Sequence, residues 1–371
     1  MPRPIVATVD VLALQHNLAE LRRRAGTARV WAVVKANAYG HGIERVWPAL
    51  RAADGLACLD LAEARLLREL GWRGPLLLLE GVFEPRDLEL CSTLQLWHVV
   101  HHAAQLDWLA AHKTQQPHHV YLKLNSGMNR LGFHAAELRA AWARLQAMPQ
   151  VDGVTLMTHF ANADQPNGIA QPLRLWQQAT EGLQAPVCLA NSAATLGHTQ
   201  ATAADWVRPG IALYGAAPDA PLHRASDWGL QPTMTLASQI IATQSLQPGD
   251  QVGYGGTYTA HTPTTMGVVA CGYADGYPRH APNGTPVLVQ GVRCPLIGRV
   301  SMDMLAVDLA PALAQNPSIG VGAEVVLWGR SPSGAELPID EVAQAAQTIA
   351  YELMCALAPR VRVIVKPQET T

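Results

Sequence analysis

The stretch Arg29-Val30-Trp31-Ala32-Val33-Val34-Lys35-Ala36-Asn37-Ala38-Tyr39-Gly40-His41-Gly42 sets an apolar run against a lysine and then a glycine-punctuated turn. The first six residues read as a buried strand. An ammonium at the end of such a strand is costly unless something uses it. A lysine amine that is partly desolvated and near other cations has a lowered pKa, and it then serves as a base or as a Schiff-base nucleophile. The glycines that follow favour a tight turn allowing close backbone approach to a ligand. A lone lysine at the start of a loop would read as an ordinary surface lysine, so its surroundings decide.

Outward from this stretch, short apolar runs recur. They are GLACLD (from Gly55), PLLLLE (from Pro75), LQLWHVV (from Leu94), HVYLKL (from His119), GVTLMTHF (from Gly153), PVCLAN (from Pro186) and a weaker DWVRPGIAL (from Asp205). Between them lie segments of helical period such as LAEARLLREL (61–70) and AAELRAAWARLQAM (135–148). Strand alternating with helix implies right-handed crossovers and a parallel sheet. Counting RVWAVV, eight such units predict an α/β fold with an N-terminal (β/α)8 TIM-like barrel over residues 1–227. The eighth strand carries the weakest signal, and the segment 101–118 has an unusual HH and QQPHH composition. From about Ala225 the texture becomes short, β-branched and broken by Gly and Pro, which predicts a C-terminal mainly β domain over 228–371. One late helix, IDEVAQAAQTIAYELMCAL (339–357), is expected within it, and the first ~10 residues are left free to pack with this domain.

In a barrel, chemistry gathers on the loops after the strands. The residues just past the runs are Lys35, Lys123 with Arg130, His159, Asn191-Ser192 and Arg208-Pro209-Gly210. Basic side chains snorkel at many strand ends, but five rim loops sharing this polar, cationic character point to an anionic cofactor or substrate.

Bulk properties narrow the classes. At 371 residues the chain has room for two or three domains of ~150 residues. Its 49% apolar and 15% charged residues fit a soluble globular protein with sizeable cores. A net charge of −2 leaves no electrostatic footprint for nucleic acid or an anionic membrane. No run reaches the ~18 apolar residues of a membrane span, and the opening MPRPIVATVDVLALQHNL lacks the layout of a signal peptide. Cys58, Cys91, Cys188, Cys271, Cys294 and Cys355 are scattered, without CxxC or zinc spacing. A cytoplasmic protein without a metal site is expected.

The stretch VVKANAYGHG (33–42) resembles the cofactor-lysine motif of the alanine racemases, fold type III enzymes that use pyridoxal 5'-phosphate. The resemblance continues through LKLNSGMNRLGF (122–133), MTHFANAD (157–164), ANSAA (190–194), RPGIALYG (208–215), VGYGGTYT (252–259), GYADGYPR (272–279), GRVSMD (298–303) and AYELMCAL (350–357). Nine segments in order are specific where any one would be weak.

The resemblance implies a homodimeric enzyme, with shared active sites, that interconverts L- and D-alanine. It would supply D-alanine for peptidoglycan or serve alanine catabolism. Lys35 would carry the cofactor, and its phosphate would rest on the Ser192 hydroxyl, the Gly210 and Ile211 amides, and the Tyr39 and Tyr351 hydroxyls. Arg208 would face the pyridine nitrogen, with His159 behind it. An arginine cannot release its proton at neutral pH, so the ring would stay unprotonated and be a weaker electron sink, which limits side reactions. Racemisation needs an acid/base group on each face of the α-carbon. Lys35 would supply one and Tyr254, from the second subunit, the other. Arg130 would bind the substrate carboxylate, with Lys123, often a carbamate in the family, positioning it. Met302, Asp303 and Tyr273 would reach the substrate site, and Asp164, Arg279 and Arg299 would line its entry.

Two positions depart from many relatives. Asn125 stands where an aspartate is frequent, removing a charge near Lys123, and Ser301 stands where a cysteine is frequent. A broader amino-acid racemase of the same fold is distinguished by pocket size near Tyr351 and Met302. A non-catalytic pyridoxal-phosphate protein would lack the β domain.

Overall fold

The computed structural model describes residues 3–114, 116–198 and 203–366. The outermost ends of both predicted domains, and Gln115 of the QQPHH stretch, lie outside the described residues. The chain enters through a short strand, β1 (Val6–Val9), followed by the helix Val11–Ala25. Asp10 caps that helix, its carboxylate accepting from the Leu12 and Ala13 amides at 3.1 and 3.0 Å.

Eight strands then pair in parallel in chain order: β2 (Arg29–Val33), β3 (Gly55–Cys58), β4 (Leu76–Leu78), β5 (Trp97–Val100), β6 (His118–Lys123), β7 (Val151–Met157), β8 (Val187–Cys188) and β9 (Trp206–Val207). The barrel closes where Arg29 and Val30 of β2 pair with Trp206 and Val207 of β9. Each strand lies in or beside one of the eight apolar runs. The last two are only two residues long. PVCLAN gives way to the Asn191 helix cap, and Pro209 removes an amide just past β9.

Aromatic side chains fill the barrel from opposite walls. Trp31 of β2 stacks on Trp206 of β9 at 4.2 Å between centroids, and its Nε1–H donates to Tyr121 Oη of β6 at 3.0 Å. Gly55 makes room for this plug, since a Cβ there would lie 2.2 Å from the Trp31 ring.

Histidines cluster where β5 and β6 meet the end of the helix Ala103–Ala111. His98 Nε2 lies 3.3 Å from His118 Nδ1, and the His112 ring packs 5.4 Å from that of His118. His98 and His118 are buried, and one nitrogen of each ring, His98 Nδ1, His112 Nε2 and His118 Nε2, makes no hydrogen bond to described residues. Burial, reinforced by the neighbouring imidazoles, pushes His98 down from 6.5 to about 3 and His118 to about 4. Between pH 6.5 and about 4 the unfolded chain therefore binds more protons than the folded one. Stability is fully present above that window and declines as pH falls through it. The urea midpoint is expected to drop steeply across this range, and a flat midpoint would contradict neutral burial of the cluster.

The remaining strands are β10 (Met234–Leu246), β11 (Gln251–Val252), β12 (Tyr258–Thr259), β13 (Thr264–Val269), β14 (Pro286–Val289), β15 (Val292–Ile297), β16 (Leu305–Asp308), β17 (Glu324–Arg330), β18 (Glu336–Leu337) and β19 (Arg362–Val365). The long β10 pairs with β17 through its first half and β13 through its second. That closes a ring of six strands through β14, β15 and β16. The entry strand β1 pairs antiparallel with β10 and parallel with β19, so the start of the chain belongs to this sheet.

The single late helix expected over 339–357 is instead two, Ile339–Ala345 and Ala350–Cys355. Gln347 adopts a left-handed conformation (φ 55°), and the Thr348 amide turns back to the Ala343 carbonyl at 2.9 Å. Such a reversal ends a helix, and it redirects Tyr351 and Cys355 toward the barrel rim.

Candidate active site

Lys35 lies just past the end of β2, separated from it by Val34, at the rim. The backbone then makes a left-handed turn through Ala36, Asn37, Ala38 and Tyr39, with φ of 54°, 52°, 55° and 51°. Each non-glycine residue there costs about 1–2 kcal/mol, so tertiary contacts must hold the turn. The Asn37 amide donates to Glu63 Oε1 at 2.9 Å, and Asn37 Oδ1 accepts from the Ile43 amide at 2.9 Å. The fully buried His41 donates from Nδ1 to the Tyr39 carbonyl at 3.0 Å and faces the Thr233 hydroxyl through Nε2 at 2.8 Å. Burial pushes His41 down to about 4, so it is a neutral strut. Gly40 is obligatory, since a Cβ would sit 2.1 Å from the Met354 carbonyl oxygen.

The turn stacks Tyr39 on Tyr214 at 4.6 Å and sets it 6.0 Å from Tyr351. Its hydroxyl approaches Gly210 so closely that a Cβ on Gly210 would lie 2.3 Å from it. Ser192 Oγ accepts from the Gly210 amide at 2.8 Å and the Ala212 amide at 3.3 Å. Ile211 opens a 3₁₀ turn, so its amide has no acceptor within that turn. Burial raises the Tyr39 and Tyr351 phenols well above their ordinary range, which keeps both as hydrogen-bond donors.

Arg208 follows β9 and is buried. Its Nη1 donates to the Cys188 carbonyl at 2.9 Å, and its Nη2 to the Thr158 carbonyl at 2.8 Å. Among the described residues no carboxylate pairs with it. His159 Nδ1 stands 3.5 Å from Nη2. Burial, and then Arg208, push that histidine down to about 3, so it is neutral and accepts from the guanidinium.

These groups line one cavity of about 330 Å³. It contains Lys35, Tyr39, Lys123, Arg130, His159, Ser192, Arg208, Gly210, Ile211 and Tyr351, all singled out from the sequence. Burial, and then Arg130, lower the Lys35 amine from its ordinary value. Burial, followed by Arg208 and Arg130, pushes Lys123 down to about 8. Asn125 Oδ1 accepts from the Gly127 and Asn129 amides at 3.1 and 3.0 Å, so this side chain shapes the loop carrying Arg130.

Two ionisable lining residues were not singled out as site residues. Glu80 is the cavity's one carboxylate among four cations, and Cys355 sits beside Lys35. Glu80 had a readable signal, because it closes the run PLLLLE as Lys35 closes RVWAVV.

Four sequence-derived site residues do not reach this cavity. Tyr254, Met302 and Tyr273 are exposed on the β domain at 69%, 53% and 38%. Asp303 is paired with Arg360 at 2.6 Å and Arg3 at 3.5 Å. Of the expected entry residues, Arg279 donates to the Val300 carbonyl at 3.1 Å and lies over the Tyr273 ring at 5.6 Å.

A rim lysine in a cation-lined cavity, on a (β/α)8 barrel followed by a β domain, defines a barrel protein built to hold a small ligand carrying anionic groups. Residues 9–218 match the family model for the alanine racemase N-terminal domain, and 233–365 that for the C-terminal domain. The chain is 67% identical over 368 residues to the alanine racemase of Acidovorax sp. (strain JS42), covering 99% of this chain and 100% of that one. It is 64% identical to that of Paracidovorax citrulli (strain AAC00-1), covering 98% and 100%.

Among solved structures, the biosynthetic alanine racemase of Pseudomonas aeruginosa superposes with a TM-score of 0.92 at 46% identity, covering 98% of this chain and 100% of that one. The Bartonella henselae alanine racemase with covalently bound pyridoxal phosphate does so at 0.87 and 26%, covering 98% and 100%. The chain belongs to the alanine racemase family and is an amino-acid isomerase.

Proposed function

We propose that this enzyme interconverts L- and D-alanine with pyridoxal 5'-phosphate in a homodimer. Lys35 and Tyr254 of the partner subunit serve as the two acid/base groups. The observation that carries the reading is the cavity itself, where Lys35, Arg130 and Arg208 converge beside a cradle of uncharged donors.

That cradle fits the cofactor. The Ser192 hydroxyl, the Gly210 and Ile211 amides and the Tyr39 and Tyr351 phenols form a donor set suited to a phosphate dianion. Gly210 keeps open the space a Cβ would fill. Arg208 is assigned the ring nitrogen, since its outer nitrogens are anchored on carbonyls and no carboxylate among the described residues competes. When bound, the cofactor withdraws electrons from the substrate α-carbon and so acidifies its proton.

The chain's own residues do the rest. Arg130 binds the substrate carboxylate and orients the α-carbon. Lys35 takes or returns the proton at Nζ on one face, and burial, which lowers its pKa, favours the free amine that this role needs. Tyr254 Oη of the partner subunit serves the other face. Lys123, pushed down to about 8, has a larger share of the neutral amine that carbamate formation requires than an ordinary lysine, and as a carbamate it would hold Arg130 by charge. Tyr273, Met302 and Asp303 are assigned to the partner's substrate site, which accounts for their distance from the cavity of their own chain.

Six unpaired cysteines support a reducing cytoplasmic location. Among the described residues, no helix is long and apolar enough to cross a membrane. The product serves D-alanine supply for peptidoglycan or alanine catabolism.

The test is a racemisation assay over a panel of L-amino acids with the cofactor-loaded enzyme. L-alanine should lose optical rotation fastest, with larger side chains at least about tenfold slower. Equal rates across the panel would replace this reading with a broad-specificity racemase.

A further inference from the structure

We propose that Arg3 and Arg360 form a clamp that positions the Tyr273 and Met302 turns for the active site of the partner subunit. The proposal rests on the shared-site reading given above. Its starting point is Asp275, which ends the 3₁₀ turn Tyr273–Asp275 and is completely buried. Its carboxylate accepts from both outer nitrogens of Arg3 at 3.1 and 3.2 Å, from Arg360 Nε at 2.7 Å and from the Gly272 amide at 2.9 Å.

The same two arginines also hold the neighbouring turn. Arg360 Nη2 donates to Asp303 Oδ1 at 2.6 Å, and Arg3 Nη2 donates to the Asp303 carbonyl at 2.7 Å. Backbone bonds join the turns directly, from the Tyr273 amide to Ser301 and from the Ala274 amide to Met302, each at 3.0 Å. Gly272 permits this approach, since a Cβ would lie 2.3 and 2.4 Å from the Ser301 and Met302 carbonyl oxygens.

A buried carboxylate with two guanidinium partners is an expensive way to stabilise a fold, because apolar packing of similar volume often does as well. Bidentate arginine pairs instead confer fixed geometry. Here the geometry fixed is the relative placement of Tyr273 and Met302, both exposed at the tips of the clamped turns. The clamp's arms come from opposite ends of the chain, one just before β1 and one just before β19. A clamp of this kind acts in trans: loosening it in one subunit should disturb substrate binding in the other.

The experiment uses the cofactor-loaded dimer. Arg360→Gln should lower kcat/KM for alanine about 10- to 100-fold, chiefly through KM, as displaced binding groups do. In a hybrid dimer with Lys35→Ala, the one working site joins the Arg360→Gln barrel to the intact turns of its partner. The KM of that hybrid should return to the wild-type value. An unchanged KM in the homodimer, or a raised KM persisting in the hybrid, would overturn the clamp's role in trans.

Arg3→Gln, at the partly exposed start of the chain, repeats both measurements if Arg360→Gln does not fold. A Lys35→Ala/Tyr254→Phe hybrid serves as control. If it gains no activity despite subunit exchange, the shared-site reading itself fails and the clamp with it. If it gains activity while the clamp hybrids do not recover KM, the clamp alone fails.

Discussion

Tyr254→Phe is expected to lower racemisation in both directions by on the order of 10²–10⁴-fold, the usual contribution of a positioned acid/base group. At 1.36 kcal/mol per tenfold this is about 3–5 kcal/mol of transition-state stabilisation. The substitution removes one hydroxyl from a side chain that is 69% exposed on its own subunit, so the fold should be untouched. The cofactor's visible absorbance should persist, because no group of the cradle changes. Rates near normal in both directions would contradict the assignment of Tyr254 to the second face. Loss in one direction only is excluded at equilibrium, since an enzyme cannot alter the ratio of L- to D-alanine, so the two directions must fall together.

Lys35→Ala is expected to be the more severe change. It removes the group assigned to the first face and the amine assigned to the cofactor, and activity should fall by at least about 10⁴-fold. The absorbance characteristic of lysine-bound cofactor should vanish, whereas loss of Tyr254 leaves it in place. Retention of that band would remove Lys35 from its role. Stability should change little or rise. A partly desolvated amine beside Arg130 is replaced by a methyl group, and the left-handed turn after it depends on Glu63, His41 and Gly40 rather than on the lysine side chain.

Much of the cavity was legible because a parallel barrel is a delivery device. Each strand alternates with a helix, so each strand end arrives at the same rim. A reader who finds Lys35, Lys123, His159, Ser192 and Arg208 just past apolar runs has located them in space without coordinates. Glu80 obeyed the same rule and was passed over because its run carried no matching motif. Cys355 obeyed no such rule. It reaches the cavity because the late helical segment breaks at Gln347, and the break depends on a backbone reversal that helix-forming composition does not reveal.

The sequence by itself determined the barrel, the β domain, the family and the ten cavity residues. The two domains follow from period and the rim positions from strand ends. The family, and with it Tyr39, Ile211 and Tyr351, comes from resemblance to known motifs a few residues long. All of these signals are local in the chain. Only the tertiary structure decided how Lys35 is presented. Four successive left-handed residues run against every local preference, and they persist through contacts with Glu63, Thr233 and the Met354 carbonyl. It likewise decided that Arg3 and Arg360 converge on Asp275 and Asp303, and that Tyr254, Tyr273 and Met302 lie outside the cavity of their own chain. Those facts join residues far apart in sequence, where no periodicity reaches and packing alone sets the distance.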